Sequence, residues 1–162
     1  MATYAQVRDS IVTQMNTVAN IGNVQSYRRV ATTYAQLEAA FVATIGGQKQ
    51  IRGWDVAWES GELNAEGWQG AQMRMTGPET YVVRGYMSAN DADASDRTWS
   101  GLIEAAMAAL VTCISALVPR QSHVTVLLRQ NGYMTFDVPG VGTAAIIHHA
   151  EIAVRIHNER VI

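Results

Sequence analysis

Apolar side chains recur at helical spacing through the first segment, where Tyr4, Val7, Ile11, Met15 and Val18 fall on one face. Thr3 stands at the N-cap position, because a threonine hydroxyl accepts from the free amides of a first turn, and Gly22 stands where a helix stops. The pattern predicts an amphipathic helix. Residues 24–30 follow a Gly-Asn turn signal and read as a short strand. Thr32 or Thr33 then caps a second helix with Tyr34, Leu37, Phe41 and Ile45 on its core face, ended by Gly46 and Gly47.

From Gln50 the period changes to two. Trp54, Val56 and Trp58 fall on one face of a strand, with Gly53, Asp55 and Ala57 on the other. Residues 59–77 are Gly-rich and polar and read as a long loop, an uncommon length inside one domain. Alternation returns with Tyr81, Val83, Gly85 and Met87 against Val82, Arg84 and Tyr86. Residues 90–96 offer several caps and a negative first turn, which the positive end of a helix stabilises by roughly 0.3–1 kcal/mol per charge. Trp99, Leu102, Ile103, Ala106, Met107, Leu110, Val111 and Ile114 then give the cleanest helical stripe, expected to be the central core helix. After Pro119 the pattern predicts a strand at 124–129, an Asn131-Gly132 hairpin turn, a strand at 133–138, a Pro-Gly break at 139–142 and a last strand over 143–157. That strand places Ile146, His148, Ala150, Ile152, Val154 and Ile156 on one face. The order is αβαββαβββ, an α+β class with a mainly antiparallel mixed sheet packed against two to three helices. Repeats, low-complexity tracts and long linkers are missing from the pattern, so residues 1–162 read as a single domain.

Composition changes the picture in two ways. Charged residues make up only 16% of the 162, against about 25% in an average soluble domain; a surface partly buried in an oligomer accounts for the shortfall. Eleven of the twelve basic residues are Arg, with Lys49 alone, and Arg is enriched in interfaces where Lys is depleted. A net charge of -2 excludes a globally basic nucleic-acid binder. The charge is uneven, however. Asp55, Glu59, Glu62, Glu66, Glu79, Asp91, Asp93 and Asp96 against Arg74 and Arg84 give that stretch a local net of -6, leaving +4 for the rest. Such a layout suits self-association through complementary patches, and equally fits scattered solvated faces. One cysteine permits no intrachain disulfide, the first residues lack a basic-then-apolar leader, and no segment reaches the roughly 18 apolar residues of a membrane span, so the expected compartment is the cytoplasm.

The candidate chemistry is thin. His148 and His149 point to opposite faces of a regular strand and so cannot share one ion. His149 and Glu151 share a face, with His157 farther along it; two ligands at i and i+2 are a weak metal signal, and the ordinary reading is sheet residues with solvated or hydrogen-bonded rings. Cys113 lacks the basic neighbours that activate a thiol and reads as a small buried hydrophobe. The run PGVGTA leads into a strand rather than a helix N-terminus, which argues against nucleotide binding. Trp54, Trp58, Trp68 and Trp99 lack an interleaved basic groove and read as core or interface anchors. No catalytic, cofactor-binding or metal-binding residue is nominated.

Several stretches together resemble the tail terminator and minor tail proteins of long-tailed bacteriophages, the Mu-like and siphophage group. They are the opening helix with its IGNV turn, SYRRVATTYAQLEAAF, IRGWDV, YVVRGYMSANDADASDRTW and the closing HHAEIAVRIHNERV. Their order and spacing, over most of the chain, carry the likeness; residues 59–77 depart from it. The resemblance implies a tail-terminator-like fold and a virion structural protein rather than an enzyme. It implies a homohexameric ring at the head-proximal end of the tail, assembled in the host cytoplasm, with itself, the tail tube protein and the neck or head-completion protein as partners. DNA would only pass through the lumen, which should then not be strongly basic. The alternatives kept open are a head-completion or neck connector subunit and, from another class, a small metal- or ligand-binding enzyme domain using His149 and Glu151. Residues 60–77 and 131–142 are expected to contact neighbours.

Overall fold

Helix α1 (Tyr4–Met15) starts as the sequence predicts: the Thr3 hydroxyl accepts from the Gln6 amide at 3.2 Å while the Gln6 side chain accepts from the Thr3 amide at 2.7 Å, a reciprocal capping box. It stops at Met15, with Asn16 as C-cap, short of Gly22. Gly22 instead has a φ of 87° and sits so close to Arg52 that a Cβ there would lie 2.0 Å from the Arg52 carbonyl oxygen. The computed structural model describes residues 3–62, 64–69, 72–89, 92–117 and 124–161; the caps sought at Asn90 and Asp91 and the break at Pro119 lie outside them.

The strand expected over 24–30 is reduced to β1 (Asn23–Gln25), which runs parallel to the middle of the next long strand. Thr33 caps α2 (Tyr34–Phe41), its hydroxyl accepting from the Gln36 amide at 3.3 Å. This helix has eight residues, about two thirds of the length expected. Val42 turns extended and begins β2 (Val42–Ile45), and Gly46 and Gly47, both at positive φ (59° and 82°), form the two-residue turn of a hairpin to β3 (Gln48–Gly61). A glycine pair of that geometry matches the twist of antiparallel strands, and Val42, Thr44 and Ile45 favour a strand over another helical turn. The side-chain amides of Asn23 and Gln25 donate to the carbonyls of Val42 and Ala40, at 2.6 and 3.3 Å, tying the end of α2 to β1.

The stretch 59–77, read as a loop, is mostly strand. Beyond a bulge between Trp58 and Ser60, β3 reaches Gly61; β4 (Asn64–Gln69) then pairs with the start of β5 (Gln72–Ser88), from Asn64 opposite Thr76 to Gln69 opposite Gln72, with a register shift between Ala65 and Gly67. Glycine content and polarity hid it, because β4 is exposed at Asn64, Ala65 and Gly67 and needs no apolar face. Helix α3 (Ala92–Leu117) follows, then β6 (Val124–Asp137) and β7 (Ala144–Val161). The Asn131-Gly132 pair makes no turn: β6 runs through it, with Asn131 opposite Ala150. The type I′ turn that Asn-Gly favours needs positive φ at both residues, which neither has, and the Asn131 side chain accepts from the Trp99 indole N–H at 3.0 Å instead. The chain therefore reads α1 β1 α2 β2 β3 β4 β5 α3 β6 β7, an α+β fold around a seven-stranded mixed sheet whose main path is β1-β3-β5-β7-β6.

Both faces of this sheet are covered, unequally. On one, α1 (Val7, Ile11, Met15) and α3 (Trp99, Leu102, Ile103, Ala106, Leu110) bury Trp54, Val56, Tyr81, Val83, Met87, Ala150, Ile152, Val154 and Ile156. This is the face the alternation predicts, except that Ile146 and Trp58, at the ends of their runs, are 49% and 47% exposed. The Trp54 indole stacks on Trp99 at 5.4 Å between ring centroids and lies flat over Gly85 on the neighbouring strand, where a Cβ would come within 2.5 Å of it. The opposite face carries a smaller core, in which Leu37, Ala40 and Phe41 of α2 meet Ile51, Tyr86, Phe136 and Ile147.

Candidate functional site

The smaller face holds the polar residues that alternation left opposite the main core. Asp55 of β3 lies directly across from Arg84 of β5, and Arg84 lies across from Glu151 of β7; one step along, Gly53, Tyr86 and His149 form the next row. Asp55 is fully buried. Arg84 Nε and Nη2 donate to its Oδ1 at 3.1 and 2.8 Å, and the Arg29 amide donates to Oδ2 at 3.3 Å. Burial pushes the Asp55 carboxyl above its ordinary range, and Arg84 and the Arg29 amide pull it partway back.

Around this pair opens a cleft of about 370 Å³. Its floor is Arg84, Tyr86, His149 and Glu151, one wall is the 28–31 segment with Leu37, and the other is Gln130, Met134 and Phe136 of β6. Tyr86 stacks on Phe41 at 4.9 Å and meets the His149 ring at 5.3 Å. Burial, reinforced by Asp55, pushes its hydroxyl up to about 12, so it stays protonated. Burial likewise lowers His149, against the opposing pull of Glu151, and leaves a neutral imidazole. Glu151 is drawn toward Arg129, whose Nη1 lies 3.5 Å from it and 2.8 Å from both oxygens of Glu59.

Two more guanidiniums stand at the rim, and Arg28 acts at longer range on Asp55. Among the described residues, neither Arg28 nor Arg29 has a side-chain ion pair. Arg29 lies over the Tyr27 ring at 4.6 Å, and its Nε is buried without a hydrogen-bond acceptor. Beside them Val30 is 75% exposed and Tyr27 49%. The arrangement is a concave surface with apolar walls and free planar donors, which suits a carboxylate-sized anion.

The sequence candidates separate as follows. His149 and Glu151 do share this cleft, as their spacing implies. His148 faces the other way, its Nε2 3.1 Å from the Ser95 hydroxyl and its ring against Tyr133 and Trp99; burial lowers it too, with Asp96 opposing. His157 lines a separate hollow with Pro78, Thr125 and Arg155, about 27 Å from His149 at strand rise. Among the described residues no three His, Cys, Asp or Glu side chains gather as metal ligands would. Cys113 is buried in the main core and its thiol is pushed up by burial. The Pro-Gly-Val-Gly run is the tight β6–β7 connection, closed by Val138 and Val141 amides on the Thr143 and Val138 carbonyls at 3.3 Å. Trp54 and Trp99 are core, Trp58 is half-exposed against Tyr4 at 5.1 Å, and the Trp68 side chain lies outside the described residues. Sequence reasoning missed the Arg28–Arg29–Arg84–Asp55 cluster. Alternation marked Asp55 and Arg84 as off the main core, but pairing them needs the β3–β5 register.

The last surface of note is the outer edge of β6. This strand is 14 residues long, its inner side pairs with β7, and no described strand pairs with its outer side. Leu127 and Tyr133 on it are 56% and 61% exposed. Compared with protein-family models and with curated proteins, the chain gives no match.

Proposed function

We propose that this protein is a virion structural subunit, a tail terminator that assembles into a ring on the head-proximal end of a phage tail tube and joins it to the neck. The observation that carries the reading is the β6 edge. An edge strand of this length offers a row of free N–H and C=O groups, and proteins that stay monomeric shorten, charge or twist such edges. Here a bulge between Leu128 and Gln130, with Arg129 in it, interrupts the ladder once, and pairing to β7 continues unbroken from Gln130 to Asp137. Exposed Leu127, Tyr133, Met134 and Val141 add the apolar and aromatic character of interface cores. The Arg-rich, charge-poor composition and the sequence likeness to terminators point the same way. A closed ring uses a heterologous contact, one edge against a different edge of the next copy.

Mass measurement of the purified protein, followed by imaging, tests this: a six-fold ring is expected, and a monomer at every concentration sinks it. Position in a virion reconstruction separates a terminator, which touches the last tube ring, from a head-completion or neck connector subunit. The cleft favours one reading of another class, a ligand- or metal-binding domain, because it brings His149, Glu151 and Tyr86 together. Sub-stoichiometric metal in the purified protein, with folding unchanged in His149→Ala, would remove its metal form.

A further inference from the structure

We infer that the cleft binds a small organic monocarboxylate, with the carboxylate on Arg28, Arg84 and Tyr86 and an apolar body between the Leu37 and Phe136 walls. The inference names an occupant for the cleft and does not depend on the ring reading. Its first support is the floor. Arg84, Tyr86 and His149 are 8%, 7% and 9% exposed, and all three line the cleft. Arg84 directs Nε and Nη2 to Asp55. Among the described residues no protein group hydrogen-bonds its Nη1, the Tyr86 hydroxyl or either ring nitrogen of His149. Buried polar atoms are nearly always partnered, and a desolvated donor left without an acceptor is unfavourable. Three such side chains on one floor call for a polar guest, and charge and wall composition select a ligand over water alone.

Three guanidiniums, of Arg28, Arg29 and Arg84, stand around two carboxylates, of Asp55 and Glu151, which leaves one positive charge over. Both Asp55 oxygens already accept, Oδ1 from Arg84 and Oδ2 from the Arg29 amide, and Glu151 is shared with Arg129. Arg28 acts on Asp55 only at longer range. Arg28 and Arg84 also act together on the Tyr86 hydroxyl, so two guanidiniums and one O–H surround one spot. Burial keeps that hydroxyl protonated and therefore a donor. Planar guanidiniums with a hydroxyl beside them match the flat oxygen pair of a carboxylate. Phosphate would bring a second negative charge and leave the walls unused: Val30 and Leu37 stand on one side, Met134 and Phe136 on the other, and these groups take hydrocarbon. A volume of about 370 Å³ lies near the lower end for small-molecule sites, which limits the body to one ring or a short branched chain.

Ligand-observed fluorine NMR with 4-fluorobenzoate on the purified full chain tests the assignment in whatever assembly the protein forms. Saturable binding with a Kd of about 1 mM or tighter is expected, and the neutral isostere 4-fluorobenzamide is expected to bind about tenfold more weakly. Arg28→Gln changes an exposed position, and Tyr86→Phe removes only an O–H without a protein partner while keeping the ring on Phe41. Each is expected to weaken binding about fivefold and to leave the melting temperature of the free protein unchanged. Binding of the acid that is absent up to about 10 mM, or matched by the amide, overturns the inference. So does binding that both variants retain in full, which places the acid elsewhere. Inorganic phosphate that displaces the probe at equal concentration shows a general anion site, and a peptide with a free C-terminal leucine that binds far more tightly than the probe shows a chain end as the occupant; either result rejects the small carboxylate. None of these outcomes bears on ring formation, which sedimentation of the same samples reads separately.

Discussion

Asp55 shows how much one position on a strand decides. Removing its carboxylate in Asp55→Ala leaves Arg84, 8% exposed, as an uncompensated buried charge, so a loss of about 3–5 kcal/mol is expected by urea unfolding. Replacing both residues with apolar ones of similar volume is expected to lose much less, because the cost lies in the orphaned ion rather than in the missing bond. Alternation already separated Asp55 from Trp54 and Val56, so its face was legible in the sequence. Its partner was not, since Arg84 lies 29 residues away and only strand register brings them opposite. His149 follows the same logic. Its folded-state pKa is lowered by burial, so below the ordinary value of 6.5 the unfolded chain takes up the proton first. The stability associated with the neutral ring is complete above about pH 6.5 and is lost as pH falls toward the folded-state value. The melting temperature of the native protein should therefore drop over that window, and His149→Gln should flatten the drop; an equal slope in both would reject it as a contributor. His148, also lowered, keeps part of the slope in that variant.

At the scale of elements, strong periodicity over a buried stripe was readable and turn chemistry was not. The stripe of α3, apart from exposed Val111, and the alternation of β3 and β5, apart from half-exposed Trp58, appear as the spacing predicts, because each packs one face against a core. Gly46-Gly47 and Asn131-Gly132 each carry two meanings in sequence, and the fold uses the less obvious one at both. The glycine pair reads as a helix stop until Val42, Thr44 and Ile45 are given to a strand. The Asn-Gly pair reads as a hairpin until Trp99 claims the Asn131 side chain. Gly47→Ala, which forces a Cβ onto a φ of 82°, is expected to cost about 1 kcal/mol in urea unfolding. No neighbouring atom would clash with that Cβ, so the loss would measure backbone strain alone. Residues 59–77 were illegible for another reason: β4, exposed at Asn64, Ala65 and Gly67, has no apolar face to impose a period of two.

For the whole molecule, the sheet is finished as a fold and open as a surface. Its main face is closed by α1 and α3, its other face only in part by α2, and the outer edge of β6 is left without a described strand. Leu127→Lys places a charge on that edge at an exposed position, and the expected result is a monomer with the native melting temperature; an unchanged oligomer would move the interface elsewhere. The two cores also differ in how they are held. The larger one buries residues of both α1 and α3 and of β3, β5 and β7, whereas the smaller depends on the eight residues of α2. Such a unit opens at lower free energy than the global transition. Amide exchange in α2 should therefore run ahead of exchange in β5 and β7 while the protein remains native. Because the segment leading into α2 and Leu37 also wall the cleft, whatever fills the cleft should slow exchange there first. The short helix becomes a clock on which occupancy can be read, residue by residue, without any change in the rest of the sheet.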